Sequence, residues 1–198
     1  PGALYWGRVD GIPANLAALT VPDFAAFQAR GGDLANYAAV NLDGEYKDFA
    51  QADADAKNFR AFVDTYNAQH QNDPGFTPKL FTAFYHLEII DAYPDIVRYP
   101  DVVIVGKTSW NASNMPSEAG QYIQLIRAAG RTPAVLLGVL KADKASHTKT
   151  ENSSAEILAN ILAVVGRPPQ GLGLPVVSYY YNNSNIDSFL AVLAQMRR

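Results

Sequence analysis

Cysteine is absent from the 198-residue chain. Disulfide staples, cysteine-ligated zinc and thiol nucleophiles are thereby excluded. The three histidines stand in no H-x-H or H-E-x-x-H spacing, so little points to an imidazole-rich metal site. Long apolar runs are missing too: nothing approaches the roughly 18–20 residues that span a bilayer, and no membrane partner is expected. There is no basic block either. Sixteen Lys and Arg against nineteen Asp and Glu leave a net charge of −3, so the chain lacks the positive field that a phosphate backbone demands, and nucleic acid is not expected as a partner. The first strand is followed by G-R-V-D-G-I-P where a dinucleotide-binding turn would read G-x-G-x-x-G. A P-loop and a G-x-S-x-G nucleophile elbow are likewise missing. No organic cofactor is expected, and no Pro/Gly/Ser linker or internal repeat divides residues 1–198, which read as one α/β domain.

What is present describes a chain able to bury a core. Hydrophobic residues make up 48% and charged ones 18%, which places it among globular proteins and not disordered ones. Eleven tyrosines, nine phenylalanines and two tryptophans with so little charge suit a secreted, carbohydrate-handling protein. The chain opens at Pro1, as expected of a processed or trimmed polypeptide.

Strand-like and helix-like segments alternate. Residues 4–9 (L-Y-W-G-R-V) read as a first strand, with a short helix near Pro13 and another from about residue 21 to Gly31-Gly32. Residues 36–46 read as the second strand. Residues 48–68 form the clearest helix, with Phe49, Ala52, Ala56, Phe59, Phe62, Val63 and Tyr66 recurring at steps of three and four. Residues 79–88 (K-L-F-T-A-F-Y-H-L-E) read as the third strand, with Thr82, Phe84, His86 and Glu88 on one face. A Pro94-interrupted helix follows over 89–97, then a strand at 101–106, a helix from about Ser117 to Gly130 and a strand at 132–140. Residues 141–152 are expected as a long polar loop. Ser153 or Ser154 caps a helix that Gly166 stops, and a strand at 176–181 and a helix at 184–196 close the chain.

Six such units with no long strand-to-strand hairpin predict a parallel sheet covered by helices. Two architectures fit. One is a compact or incomplete TIM-type (β/α) barrel; the other is an open, parallel, doubly wound sheet. A further strand has room only in residues 11–30 or 89–100. Polar groups gather at the carboxyl ends of most strands, where a barrel would converge them on one mouth, and this favours the barrel.

The stretch N-Y-A-A-V-N-L-D-G-E-Y at 36–46 carries the chemistry. Strand alternation puts Asn41, Asp43 and Glu45 on one face. Two carboxylates one step apart repel, which raises the proton affinity of one and makes it a usable general acid. Such a pair suits glycoside cleavage, with Glu45 as acid and Asp43 as the stabilising carboxylate. Glu88 is a second candidate acid, from the neighbouring strand. Asp10, Asn41, Tyr46, His86, Trp110 and Tyr181 are candidates for holding substrate at the same mouth. A divalent ion held by Asp43, Glu45, His86 and Glu88 is a weaker alternative. The plainest alternative makes these residues the solvated end of a strand.

Residues 40–46 (V-N-L-D-G-E-Y) resemble the signature of family 18 glycoside hydrolases, D-x-x-D-x-D-x-E followed by tyrosine, as in chitinases and endo-β-N-acetylglucosaminidases. The resemblance implies a barrel whose signature closes a strand. It implies that Glu45 is the general acid and that Asp43 orients the substrate's acetamido group, so that the substrate supplies its own nucleophile. Asn41 and Ala38 stand where the family has its other two aspartates, and Gly44 where an aromatic residue is common. The family's S-x-G-G and M-x-Y-D strands are missing. These departures suit a second expectation, a carbohydrate-binding or inhibitor protein on a barrel that has lost its chemistry.

Overall fold

Aliphatic and β-branched runs alternate with helices along the chain, and the strands they form pair in parallel. The computed structural model describes residues 5–6, 17–44, 46, 48–107, 110–137, 140–143, 148–151, 153–168, 171–174 and 177–179. The chain divides into two compact units, residues 1–103 with 126–132, and residues 104–125 with 133–198.

In the first unit, β1 (Tyr5–Trp6), β2 (Ala17–Val21), β3 (Ala39–Gly44) and β4 (Leu80–Tyr85) pair in chain order, each parallel to the next. Strand β2 (A-A-L-T-V) lies within the only early stretch that had room for one. The register sets Leu19, Val40 and Phe81 side by side, then Thr20, Asn41 and Thr82, then Val21, Leu42 and Ala83. Helix α1 (Phe24–Ala29) starts at Asp23, whose carboxylate accepts from the Ala26 N–H at 2.6 Å. Gly31 and Gly32, at φ of +92° and +58°, turn the chain out of it.

Helix α2 (Phe49–His70) is capped by Asp48, which accepts from the N–H groups of Ala50 and Gln51. Its buried stripe of Ala52, Ala56, Phe59 and Val63 follows the expected period. Phe59 stacks on Phe81 at 5.5 Å between centroids and meets Phe24 edge-on at 4.9 Å, so α2 is fastened to both β4 and α1. At its far end, the Asn67 side-chain amide pairs with both backbone groups of Lys79, at 2.8 and 2.9 Å.

Strand β4 ends earlier than the sequence suggests. His86 is extended, but Leu87–Ala92 coils into helix α3, which buries Ile89 and Ile90, and a 3-10 turn at Pro94–Arg98 buries Ile96 and Val97. The strand expected over 79–88 is present as Leu80–Tyr85, and its last residues leave the sheet because Ile89 and Ile90 are buried by a helix. The Pro94 interruption is where it was expected.

Asp101 then knits strand beginnings together. Its Oδ2 accepts from the Phe81 N–H at 2.9 Å, and its Oδ1 pairs with Arg60 at 2.9 Å and Arg131 at 3.5 Å. Its own backbone bonds Phe81 on one side and Thr132 on the other.

Strand β5 (Val102–Gly106), helix α4 (Met115–Ala128) and β6 (Thr132–Leu137) follow as expected. In the second unit β6 pairs in parallel with the last described strand, at Val177–Tyr179. The polar segment 141–152 is a correction. Strand β7 (Leu140–Asp143) pairs antiparallel with β8 (Thr148–Glu151), so the chain does contain a hairpin. Polarity hid it: a ribbon held by backbone pairing needs no apolar alternation to form. The Val177–Tyr179 strand is numbered β9. Helix α5 (Ser154–Val165) carries a capping box, with Ser153 and Glu156 each satisfying the other's backbone N–H. Residues 171–174 fold back on its last turn, where the N–H groups of Leu172 and Leu174 bond the carbonyls of Ala163 and Val164. The expected helix at 184–196 lies outside the described residues.

Candidate site at the carboxyl end of strand β3

Because Phe81 stacks on Phe59, the odd-numbered positions of β4 face α2 and the even-numbered ones face away. Register then carries the same division to β2 and β3. Thr20, Asn41 and Thr82 form a polar row on the face turned away from α2, and Asp43 beside Phe84 is the next step of that face toward the strand end. Asn41 and Thr82 are buried, and the Thr82 hydroxyl donates to Asn41 Oδ1 at 2.9 Å. The Thr20 hydroxyl is buried without a partner among the described residues. Asp43 is half-buried and engaged with neighbours.

Tyr46 is fixed from the opposite side. Its hydroxyl donates to Asp55 Oδ2 at 2.7 Å, and Asp55 also accepts from the Phe24 N–H at 3.2 Å and from Gln51 Nε2 at 2.7 Å. Asp55 is 2% exposed on α2, so three donors replace the water that a carboxylate would otherwise require. Burial, followed by the hydrogen bond to Asp55 and that residue's charge, pushes the Tyr46 hydroxyl above its ordinary pKa. It stays protonated and a donor. Loop closure after β3 is therefore tied to the starts of α1 and α2.

The other candidates fall in several places. His86 is the exposed residue before α3, its ring edge-on to Phe84 at 5.2 Å, and Glu88 is an exposed acid in the first turn of α3 and not a strand-end residue. The helix that takes over after Tyr85 is the reason. Trp110 belongs to the second unit and is 6% exposed; its indole N–H donates to Glu118 Oε2 at 2.9 Å, with Lys107 on the same oxygen. Little of its ring is open to a ligand. Asp10, Glu45 and Tyr181 lie outside the described residues. Among the described residues no three His, Asp or Glu side chains gather as metal ligands. None of the described helices is long and apolar enough to cross a membrane.

Asp55 and Tyr85 were not legible as site neighbours. Asp55 reads as one more acid in a helix, although its place among Ala52, Ala56 and Phe59 on the buried stripe was a usable signal. Tyr85 is fully buried, and its hydroxyl has no partner among the described residues.

No protein-family model matches this chain, and no curated protein matches it significantly in sequence.

Proposed function

We propose that this chain is a glycoside hydrolase-like protein on a compact (β/α) barrel, secreted and acting on a carbohydrate, with Glu45 as general acid and Asp43 as the stabilising carboxylate. The observation that carries the reading is the position of Asp43, at the carboxyl end of a parallel strand and on the sheet face turned away from α2, in line with the polar row of Asn41 and Thr82. Barrel enzymes assemble their sites from such strand ends. The barrel itself is supported by the chain-order pairing of β1 through β4 and by the small side chains of Ala18, Thr20, Ala39 and Asn41 on that inner face. A doubly wound sheet would reverse its strand order at a switch point and lay helices on both faces.

In this reading Glu45 protonates the glycosidic oxygen as the bond to the anomeric carbon breaks, and Asp43 counters the positive charge that develops on the ring. The resemblance to family 18 adds that Asp43 orients an acetamido group, which supplies the nucleophile. Tyr46, the residue that follows the acid, is pinned to Asp55.

A second reading has its own support. Asn41 stands where the family places a carboxylate, and its Oδ1 is spent on the Thr82 hydroxyl. A carbohydrate-binding protein without turnover accommodates that amide well.

Hydrolysis of chromogenic glycosides and of amino-sugar polymers separates the readings. Turnover that Glu45→Gln abolishes supports the enzyme. Glycan binding without turnover, unchanged in Glu45→Gln, supports the binding protein and overturns the catalytic assignment. Turnover that survives Glu45→Gln and dies in Glu88→Gln moves the acid role to Glu88.

A further inference from the structure

On the helical side of the first unit, α2, the end of α3 and the 3-10 turn enclose an open cleft of about 250 Å³ lined by Asp53, Lys57, Ala92, Tyr93, Pro94, Asp95 and Tyr99. It is separate from Asp43, which faces the other side of the sheet. Its volume lies below the roughly 300–1,000 Å³ of pockets for drug-sized ligands, so it suits a single ring.

Its chemistry narrows the ligand. The Asp53 carboxylate pairs with Lys57 at 2.7 Å, and Asp95 pairs with Arg98 at 3.1 Å. Each acid of the cleft thus has its own cation, and no uncompensated charge is left to select an ionic ligand. What remains is donors and acceptors side by side: the Lys57 ammonium beside the Asp53 carboxylate, and the tyrosine hydroxyls. Adjacent hydroxyl groups on a ring, each both donor and acceptor, match such a mixed pair. The cleft also holds aromatic surface. Tyr93 is 37% exposed, a high value for so large a side chain, and Lys57 Nζ sits 5.9 Å from the centre of the Tyr99 ring. An exposed ring beside polar groups accepts the apolar C–H face of a sugar while its hydroxyls meet the carboxylate and ammonium.

We propose that this cleft is a second carbohydrate site, which takes one uncharged pyranose ring stacked on Tyr93 and hydrogen-bonded by Asp53 and Lys57. It rests on the carbohydrate reading above only for the kind of polymer that would reach both sites. An open, shallow cleft gives weak binding, around the millimolar range that corresponds to about 4 kcal/mol, so the site serves to hold a chain near the protein and not to grip one sugar.

The test is a titration of the full, ¹⁵N-labelled chain with glucose, galactose, N-acetylglucosamine and their soluble oligomers, read by amide shifts. The expected result is saturable shifts at residues 53, 57, 92–93, 95 and 99 with at least one of these sugars. They persist in Asp43→Asn and Glu45→Gln, weaken tenfold or more in Tyr93→Ala and are retained in Tyr93→Phe. Tyr93 is exposed, so both variants keep the fold. Absence of saturable cleft shifts with every sugar, or shifts indifferent to Tyr93→Ala, overturns the proposal. So does a preference for a protonated amine such as ethanolamine over all the sugars. Because hydrolysis is read at Glu45 and binding at Tyr93, failure of either leaves the other standing.

Discussion

The Tyr46 hydroxyl and the Asp55 carboxylate meet at 2.7 Å, and through that contact the segment that follows strand β3 is tied to the beginnings of two helices. Asp55 is nearly inaccessible, and three donors among the described residues stand in for its solvation. Tyr46→Phe removes one donor and is expected to destabilise the fold by about 1–2 kcal/mol. Asp55→Ala removes the acceptor for all three and costs more, about 3 kcal/mol, because the Phe24 N–H is left without a partner. Urea unfolding at neutral pH, comparing midpoints, checks both. Equal losses would show that the tyrosine contributes the entire effect.

Tyr85 gives the opposite expectation. Its hydroxyl is buried without a hydrogen bond among the described residues, so Tyr85→Phe removes an unmet polar group and leaves the ring in place. The variant is expected to be more stable than the parent by about 1 kcal/mol, which a raised thermal midpoint would report. A lowered midpoint would mean that the hydroxyl is satisfied.

The same two tyrosines set an alkaline limit. Burial chiefly, with nearby acids adding to it, raises both hydroxyls above their ordinary pKa of 10.0. The unfolded chain releases these protons as the pH passes about 10, while the folded chain retains them. Stability from this source is therefore complete below that pH and declines as the pH climbs toward the folded values. Unfolding measured between pH 9 and 11 should show the decline. The slope should flatten in Tyr46→Phe and flatten further when Tyr85→Phe is combined with it.

Asp101 is expected to be about as costly a carboxylate to lose as Asp55. It receives the Phe81 N–H and two arginines, both of whose Nε atoms are buried without partners. Asp101→Ala takes this carboxylate from Arg131 and leaves Arg60 with Asp64 and the Tyr99 carbonyl, and is expected to cost about 3 kcal/mol, with Asp101→Asn intermediate. The loss should change little between low and high salt, because the pairs are part-buried and weakly screened. A loss that vanishes in high salt would reduce Asp101 to an ordinary surface pair.

Asn67 makes a smaller, separable contribution. Its amide mimics a backbone partner for Lys79, and Asn67→Ala should cost about 1–2 kcal/mol while freeing the start of β4. Hydrogen exchange at the Lys79 N–H, accelerated in the variant and unchanged at Phe84, would localise the effect.

The parts of this fold that showed in the sequence are those where one period dominates. Phe59 and Val63 announced α2, and Ser153 with Gly166 bracketed α5, because burial and capping each leave a local mark. The hairpin β7–β8 left none, since its residues are polar and its pairing is made by backbone atoms. Strand β2 was anticipated only as available room. Its five residues are short, and a helix begins three residues later. The shared facing of Asn41 and Asp43 was legible, because it follows from strand alternation. The helical position of Glu88 was not, because the switch from strand to helix after Tyr85 depends on where Ile89 and Ile90 find cover. Asp55 could not be recognised from spacing alone as the partner of Tyr46, since that contact comes from the turn joining β3 to α2.

The row of Thr20, Asn41 and Thr82 has a consequence for how far this molecule can be changed. A one-residue slip of β3 against its neighbours would turn Asn41 toward the phenylalanines of α2 and bring Val40 against the two threonines. The row therefore acts as a key that admits one alignment, and Asp43 takes its facing from that same alignment. Substitutions that make the row more apolar would remove the penalty on misalignment. The aim of the carboxylate would then be lost before the fold itself.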